Sequence, residues 1–378
     1  DPRDATPTGC LHRTRRGLRS YPVSVRAPSS RWAGLFVALL AVLVQLRALP
    51  STLIWDDNLM LGSYSDLYRN PGRWLEAVTS PLGKETFYWR PLATTSFLLE
   101  TLVHGGEPWG FRLTSALLHG AVAWLVTRLA RRLLGDGWTP LLVGAAFALH
   151  PVTAEAATWP SARFDQLCTL FALTTLALVP AGPVRPGALR LAGIGFGTAA
   201  ALLSKEHALV LPGLVLAWDL GTCPPEGRWR DVIRERYAAT CAALAGVIAV
   251  LLIRYEVLGY VIRARPHSVE RAGDALERIL LVGRAFATDA LVTLFPFGTV
   301  GPAHYATMPV PVTSVAAWSG LALLGAAVVA TAVGVWRRRG IAFVAAGALI
   351  ALLPVSQVLP LDMAGRFHTA DRFLYLPW

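Results

Sequence analysis

Two adjacent carboxylates, Asp56 and Asp57, are candidates for acid–base chemistry. They follow an apolar run and stand in the string IWDDN, which begins at Ile54. Charged side chains at the edge of a membrane cost free energy unless they are hydrated or used. Two interpretations stay open. The pair forms a hydrated helix end that caps the next turn, or one carboxylate acts as general base on a substrate hydroxyl.

Arg90 has the chemistry to bind a phosphate group. It stands in YWRPL, directly after Tyr88 and Trp89. A guanidinium is planar and donates two parallel hydrogen bonds to phosphate oxygens. An arginine beside two aromatic residues is equally typical of an anchor at a membrane interface. The sequence leaves both roles open for Arg90.

Three further polar turns follow apolar runs later in the chain. The first holds His150, Glu155, Arg163 and Asp165, the second Lys205 and Glu206, and the third Arg366, His368, Asp371, Arg372 and Tyr375. A lone histidine before a proline is more often structural, and its surroundings show no zinc pattern of His and Cys ligands. Polar turns on one side of an otherwise apolar protein predict a shared cavity.

The composition indicates what must position these turns. Of the 378 residues, 54% are apolar and 16% are charged, and the mean hydropathy is +0.47. An ordinary soluble domain carries roughly 25% charge, so we predict an all-α polytopic membrane protein. Disordered, collagen-like and disulfide-scaffold classes are excluded by the same numbers.

Apolar runs long enough for a membrane predict nine spans. They lie near residues 32–49, 108–131, 137–157, 166–184, 188–204, 207–220, 237–257, 313–336 and 340–361. A helix near residues 276–298 holds Arg284 and Asp289 and ends at Pro296, so we expect it to lie in the outer interface. A large first extracytoplasmic loop, residues 50–111, separates the first two spans.

The charge distribution predicts the orientation. The formal net charge is +11, and 19 of the 35 basic residues fall on one side of the predicted topology, which nets +12 against −1 for the other side. Residues 1–31 form a basic cytoplasmic segment, as the positive-inside rule predicts. Nucleic acid is therefore not an expected partner. A cleaved signal peptide is the alternative for the start, but Arg15 and Arg16 stand far before the apolar run, which favours an uncleaved span.

An ordered set of strings carries a family resemblance. These strings are WDDN, YWRPL, FRLTSALLHG, FALHPVTAEA followed by SARFDQL, LLSKE followed by LPGLVLAWDL, LFPFG, and DRFLYLP. The chain from Ile54 to Pro377 resembles the membrane part of the transmembrane and tetratricopeptide repeat O-mannosyltransferases and their bacterial relatives, in the GT-C class of polyprenyl-phosphate-dependent glycosyltransferases. Thr153 and Ala154 depart from the usual HPVHTE, and Ala162 and Phe164 from GRADLL. The chain stops after Trp378, so we expect a fragment without the repeat domain.

The resemblance implies a GT-C-like helical bundle over residues 32–378 and an inverting glycosyltransferase. A polyprenyl-phosphate-linked, mannose-like sugar would be the donor, and a protein or glycan hydroxyl the acceptor. Asp56 or Asp57 would be the base, with Asp56 favoured. Arg90, Arg163, Lys205 and Arg372 are the candidate phosphate partners, and His150, Glu155, Asp165 and Glu206 complete the expected substrate site. No cofactor is required, although a divalent metal is compatible with the reaction.

The resemblance also implies a location and leaves alternatives. We expect an integral protein of a bacterial inner membrane, in contact with membrane lipid, with its active site facing the periplasm. A transporter is the main alternative, which predicts charged or broken helices near mid-membrane and inverted repeats. A non-catalytic envelope assembly protein is the other.

Overall fold

The computed structural model describes residues 30–62, 65–81, 88–180, 186–222, 226, 229–261, 275–305, 309–358 and 369–377. Almost all of the predicted basic segment 1–31, as well as Arg366 and His368, lies outside these residues. The described chain is built of helices, and within it the strand-type pairing is one antiparallel bridge between His304 and Thr369. The prediction of an all-α polytopic membrane protein is confirmed.

The first half of the described chain contains eight α-helices. They are α1 (Ser30–Gln45), α2 (Ser65–Arg69), α3 (Trp74–Thr79), α4 (Pro91–His104), α5 (Pro108–Leu134), α6 (Trp138–Leu149), α7 (Ala154–Thr158) and α8 (Arg163–Leu178). The second half of the described residues adds α9 (Ala188–Ser204), α10 (Leu211–Thr222), α11 (Trp229–Leu258), α12 (Ala275–Leu294), α13 (Val315–Trp336) and α14 (Gly340–Leu352). Single 3₁₀ turns at Pro151–Thr153, Pro160–Ala162, Glu206–Val210 and Asp371–Leu374 connect or follow them.

Local sequence explains where the long helices begin and end. Pro108 occupies the first turn of α5, where a missing N–H costs nothing, and Gly135 ends that helix with φ +81°. The hydroxyl of Ser314 accepts the N–H of Ala317 and caps α13. In the described chain, three helices are long and apolar enough to cross a membrane: Pro108–Leu134, Arg236–Leu258 and Val315–Trp336. Shorter apolar helices cover Trp32–Ala48, Ala188–Ser204 and Gly340–Leu352, and the total of nine spans stays a prediction.

The structure divides one predicted span. Residues 137–157 form α6 and a second piece, Pro151–Thr158, which meet at 52°. Pro151 offers no N–H to the helix and forces His150 out of the helical region, to ψ 131°. Other boundaries also move: the helix of the predicted span 207–220 begins at Leu211 after a 3₁₀ turn, and α14 ends at Leu352, well short of residue 361.

The packing places the helices in one bundle. Helix α5 packs against α1, α6 and α8, while α9 packs against α8 and α11, and α10 packs against α14. The predicted interfacial helix α12 packs closely on α13, because a Cβ at Gly283 or Gly320 would meet the backbone of the other helix. The interfacial placement of α12 itself stays a prediction.

The predicted polar turns come together at one end of this bundle. The turn at Pro151–Thr153 and helix α7 contact the Asp371–Leu374 turn, and the Glu206–Val210 turn contacts α8 and α9. The start of α4, which carries Arg90, reaches the same place through an ion pair with Glu206. This end of the molecule therefore holds the candidate site.

Candidate functional site

The loop that carries Asp56 and Asp57 is held at its start by Arg112. This buried arginine of α5 donates hydrogen bonds to the carbonyl oxygens of Ser51 (3.2 Å), Thr52 (2.5 Å) and Thr158 (2.8 Å). One side chain therefore joins the first loop to the end of α7. A guanidinium suits this role because its five N–H groups point in fixed directions. Arg112 lies within the string FRLTSALLHG, whose sequence gives no signal of this role.

The two carboxylates of the loop have different surroundings. Asp57 is fully buried, and its Oδ1 accepts hydrogen bonds from the Ser161 N–H (2.9 Å) and hydroxyl (2.6 Å). Its Oδ2 accepts from the Ile54 N–H at 3.2 Å. Burial raises the pKa of Asp57, against the lowering effect of these hydrogen bonds and of Arg112. Asp56 is exposed, so the loop presents this carboxylate and uses the other to hold its own shape.

Lys205 and Asp165 form a buried ion pair. Both residues are 4% exposed, and the Lys205 ammonium donates to Oδ1 of Asp165. Burial lowers the pKa of Lys205; the Asp165 carboxylate opposes this, and Arg90 and Arg372 lower it further. Three cations are therefore close enough to affect one another.

Glu206 lies between two arginines. Arg90 donates to it from Nη2 (3.0 Å) and Nε (3.2 Å), and Arg254 donates from α11 at 3.3 Å. Burial would raise the pKa of Glu206, but the two guanidinium groups outweigh it and hold the pKa below its ordinary value. The Arg90 guanidinium also lies 4.4 Å from the ring centroids of both Tyr88 and Phe164.

Arg372 and Glu155 form the third pair. Glu155 accepts the main-chain N–H of Arg372 at 2.7 Å and its guanidinium at 2.5 Å, and the guanidinium also donates to the Pro302 carbonyl at 3.0 Å. The Phe373 ring joins this pair to Lys205, because the Lys205 Nζ and the Arg372 Cζ each lie 5.0 Å from its centroid.

The structure thus brings together six of the predicted site residues. We call this group the polar cluster: Arg90, Glu155, Asp165, Lys205, Glu206 and Arg372. It consists of three cations, each paired with a carboxylate, around the aromatic rings of Phe164 and Phe373. The contacts place these turns together, and the shared cavity predicted for them stays a prediction. Their role in binding a substrate is not tested by the contacts and stays a prediction.

Comparison with known proteins finds relatives among protein O-mannosyl-transferases. No family model matches the chain, and no solved structure matches it. Over 239 residues the chain is 30% identical to protein O-mannosyl-transferase Tmtc2 of Drosophila melanogaster, covering 59% of this chain and 25% of that protein. It is 42% identical over 88 residues to TMTC2 of Mus musculus, 23% of this chain and 10% of that protein. Over 174 residues it is 28% identical to TMTC4 of Homo sapiens, 40% of this chain and 23% of that protein.

The chain is related to the TMTC protein O-mannosyl-transferases. It spans about a quarter of the length of the fly relative. These three relatives are animal proteins, so the expected bacterial kinship and the bacterial inner membrane stay predictions. The membrane character agrees with the apolar helices of the bundle.

Besides Asp56 and Asp57, two predicted site residues of this TMTC-related chain, His150 and Arg163, lie outside the polar cluster. Arg163 is fully buried, pairs with Glu100 of α4, and donates to the Phe111 carbonyl (2.8 Å) and the Ser115 hydroxyl (3.2 Å). Nδ1 of His150 accepts a hydrogen bond from the Val152 N–H at 3.2 Å. Nε2 of His150 lies 3.1 Å from the carbonyl oxygen of Thr293. The contacts of Arg163 connect α8 to α4 and α5, and those of His150 connect the end of α6 to α12.

Sequence reasoning missed several residues around the TMTC-related site. Glu100 is hidden in an apolar run, and Ser161 in the hairpin before α8 gives no signal of its own. Asp371 was seen as part of a polar turn, but not its hydrogen bonds with the His304 ring and the Gly301 N–H, both 2.7 Å long. No three His, Cys, Asp or Glu side chains of the described ranges cluster as a metal site would require.

Proposed function

We propose that the chain is the membrane part of an inverting glycosyltransferase. It transfers a mannose-like sugar from a polyprenyl-phosphate carrier to a protein or glycan hydroxyl at the extracytoplasmic face of the membrane. The observation that carries the proposal is the polar cluster, where three cations converge at the end of the bundle that also holds the Asp56 loop. The relationship to protein O-mannosyl-transferases supports the sugar and the reaction class.

The reaction needs one base and a stabilised leaving group. Asp56 takes the proton of the acceptor hydroxyl, and the resulting nucleophilic oxygen forms a bond to the anomeric carbon of the sugar. The bond between that carbon and the phosphate oxygen breaks on the opposite side, so the configuration inverts. The electron pair leaves with polyprenyl phosphate. A phosphate is a good leaving group and needs charge stabilisation more than a proton.

The cations of the polar cluster suit that leaving phosphate. Arg372 and Lys205 share the Phe373 ring, and Arg90 lies close enough to lower the Lys205 pKa. Each cation is already held by a carboxylate, so its position is fixed before a substrate binds. Such preorganised charge in a largely desolvated place stabilises a developing anion more strongly than water does. Arg163 donates from Nη1 and Nη2 to α4 and α5, and we assign it to holding α8 in place.

An apolar cavity beside the cluster suits the carrier chain. It has a volume of about 220 Å³ and lies between α5, α6, α8, α10 and α14. Tyr375 and Leu376 line it, so it begins three residues from Arg372. Isoprene units are apolar and gain free energy when they leave water or a polar interface. We propose that the carrier chain enters here while its phosphate meets the cations.

One observation favours the transporter alternative. A bend of 52° at His150 separates two apolar helices that together are long enough to span a membrane, and broken helices occur at transporter binding sites. An assay of sugar transfer separates the two functions, because a transporter moves its substrate without changing it.

The test uses the full chain, reconstituted in liposomes with radiolabelled polyprenyl-phosphate mannose, glucose or galactose and acceptor peptides rich in Ser and Thr. We expect label to move from the lipid to the peptide, and Asp56→Asn to abolish the transfer. Asp66→Asn, which changes another exposed carboxylate of the same loop, is the matched control and should transfer normally. Transport of labelled donor without transfer to any acceptor would contradict the glycosyltransferase.

A further inference from the structure

Trp55 has an unusual backbone conformation for a large residue. Its φ is +46°, in the left-handed region, although 60% of the residue is exposed. A bulky side chain rarely adopts positive φ, because its Cβ approaches the next carbonyl oxygen. Strain of this kind persists where the surrounding structure enforces it, and it concentrates at functional sites.

The turn around Trp55 is held from both sides. The Asp57 N–H donates to the Ile54 carbonyl at 2.9 Å, and the Asn58 N–H donates to the Trp55 carbonyl at 3.2 Å. The Asp57 carboxylate accepts the Ile54 N–H and is itself fixed by Ser161. These bonds hold the turn in which Trp55 adopts its strained conformation.

Trp159 connects Trp55 to the polar cluster. The two indole rings meet edge to face, with centroids 5.9 Å apart and planes at 89°, and the Arg372 guanidinium lies 5.2 Å from the Trp159 centroid. Trp159 is 7% exposed, and its buried Nε1 has no hydrogen-bond partner among the described residues. A buried N–H without an acceptor costs free energy that a ligand oxygen would recover.

We propose that Trp55 and Trp159 form the subsite for the hexose ring of the donor. The C–H face of the sugar packs on the exposed Trp55 ring, and a sugar hydroxyl accepts the Trp159 N–H, while Arg372 holds the phosphate attached to the same sugar. A hexose has an apolar face and a polar rim, which match an exposed indole beside a buried donor. This subsite rests on the proposed function, since it lies next to the proposed phosphate site.

The experiment compares two ligands that differ only in the sugar. Short-chain polyprenyl phosphate and the same lipid carrying mannose are titrated against the purified full chain in nanodiscs, with the tritiated lipids as probes. We expect wild type to prefer the mannose-bearing lipid, and Trp55→Ala to reduce that preference by about tenfold, the upper range of an aromatic contact. Affinity for the sugar-free lipid should not change. Trp55→Phe should keep most of the preference.

Two control variants separate a sugar platform from a membrane anchor or a structural turn. Trp109→Ala removes another exposed tryptophan of the same region and should leave the preference intact. Trp55→Gly relieves the positive φ, so it should unfold at an equal or higher temperature than wild type and still lose the preference. If Trp55→Gly is at least as stable as wild type but has lost the preference for the mannose-bearing lipid, damage to the fold cannot explain that loss.

The outcomes are distinct. Loss of the mannose preference alone, in Trp55→Ala and Trp55→Gly, supports the subsite. If Trp55→Ala weakens the binding of both lipids equally, the subsite is overturned and the proposed function stands. Absence of binding of either lipid to wild type overturns the proposed function and the subsite with it.

Discussion

Arg372 donates two hydrogen bonds to Glu155, one from its main-chain N–H at 2.7 Å and one from its guanidinium at 2.5 Å. The first bond orients the Asp371–Leu374 turn, and the second orients the Arg372 side chain. A single carboxylate therefore sets both the position and the direction of a proposed phosphate-binding cation. Glu155 lies in the first turn of the short helix α7, directly after the 3₁₀ turn that begins at Pro151.

The first prediction separates the structural and binding roles of this pair. Arg372→Gln leaves the Glu155 carboxylate without its guanidinium in a mostly buried place, so we expect a loss of about 3 kcal/mol in unfolding free energy. The double variant Glu155→Gln/Arg372→Gln removes both charges and should recover most of that stability. Donor binding should stay weak in both, because the phosphate has lost a cation. Thermal unfolding and tritiated donor binding measure the two effects.

The matched control for this pair is Arg73→Gln/Glu76→Gln, which removes an exposed ion pair of the first loop. Exposed pairs contribute little to stability, so the control should resemble wild type in both assays. Donor binding at wild-type strength in the stable double variant would remove Arg372 from the phosphate site.

A second prediction distinguishes the two loop carboxylates. Asp56→Asn removes an exposed group and should fold and bind donor normally but lose turnover, because nothing takes the acceptor proton. Asp57→Asn alters a buried acceptor of three hydrogen bonds, so it should lose stability by roughly 1 to 3 kcal/mol and keep some turnover. Transfer rates and unfolding temperatures of both variants decide the assignment. The roles would be reversed by an active Asp56→Asn together with an inactive, stable Asp57→Asn.

A third prediction follows from the raised pKa of Asp57. Burial favours the protonated acid, so its pKa in the folded protein lies above the ordinary 3.8. The stabilising effect of protonation is complete below pH 3.8 and is lost as the pH rises through the folded pKa. Wild type should therefore lose stability relative to Asp57→Asn as the pH rises from about 4 towards neutral. The difference in unfolding temperature between them, followed across pH, measures this. A difference independent of pH would contradict it.

Much of the bundle was visible in the sequence, because apolar runs bounded by charges define membrane helices. The helix at residues 188–204 was predicted at its observed bounds, Ala188–Ser204. The break at His150 was also accessible to local reasoning, since Pro151 disfavours helix at the preceding residue. The ends of α8 and α14 obey the same rule, because Pro180 and Pro354 disfavour helix at the residue before each of them. The predicted spans ran past these prolines because the surrounding residues are apolar.

The meeting of the polar turns was predictable, but their pairing was not. The predicted topology alone places Lys205 and Arg372 on one side of the membrane. No local rule says that Lys205 pairs with Asp165, 40 positions away, or Arg163 with Glu100, 63 positions away. Such pairs depend on how helices pack. That is also why Arg163 was predicted as a phosphate partner, although its Nη1 and Nη2 groups donate hydrogen bonds within the bundle.

A fourth prediction tests that use of Arg163. Arg163→Gln leaves Glu100 without its cation between α4 and α5, so we expect a loss of about 3 to 5 kcal/mol in stability. Glu100→Gln/Arg163→Gln should restore part of it, and the refolded double variant should bind donor nearly as wild type does. Unfolding temperature and donor affinity measure both. Strongly weakened donor binding in a stable double variant would return Arg163 to the phosphate site.

The last prediction concerns Tyr375, which follows Arg372 by three residues. The Tyr375 hydroxyl lies 2.8 Å from Nδ1 of the buried His119, whose Nε2 lies 3.1 Å from the Ala148 carbonyl. A carbonyl only accepts, so Nε2 carries the proton and Nδ1 accepts the tyrosine O–H. Tyr375→Phe keeps the ring but leaves Nδ1 without its donor, and we expect a loss of roughly 1 to 3 kcal/mol in stability.

Because Tyr375 anchors the turn that carries Arg372, this variant should also lower kcat more than donor affinity, since the cation is less precisely placed for the leaving phosphate. Tyr255→Phe, which removes the hydroxyl of an exposed tyrosine on α11, is the control and should change neither quantity. Transfer kinetics and thermal unfolding of the two variants provide the comparison. Unchanged kcat in a clearly destabilised Tyr375→Phe would show that the His119–Tyr375 bond stabilises the bundle without positioning Arg372.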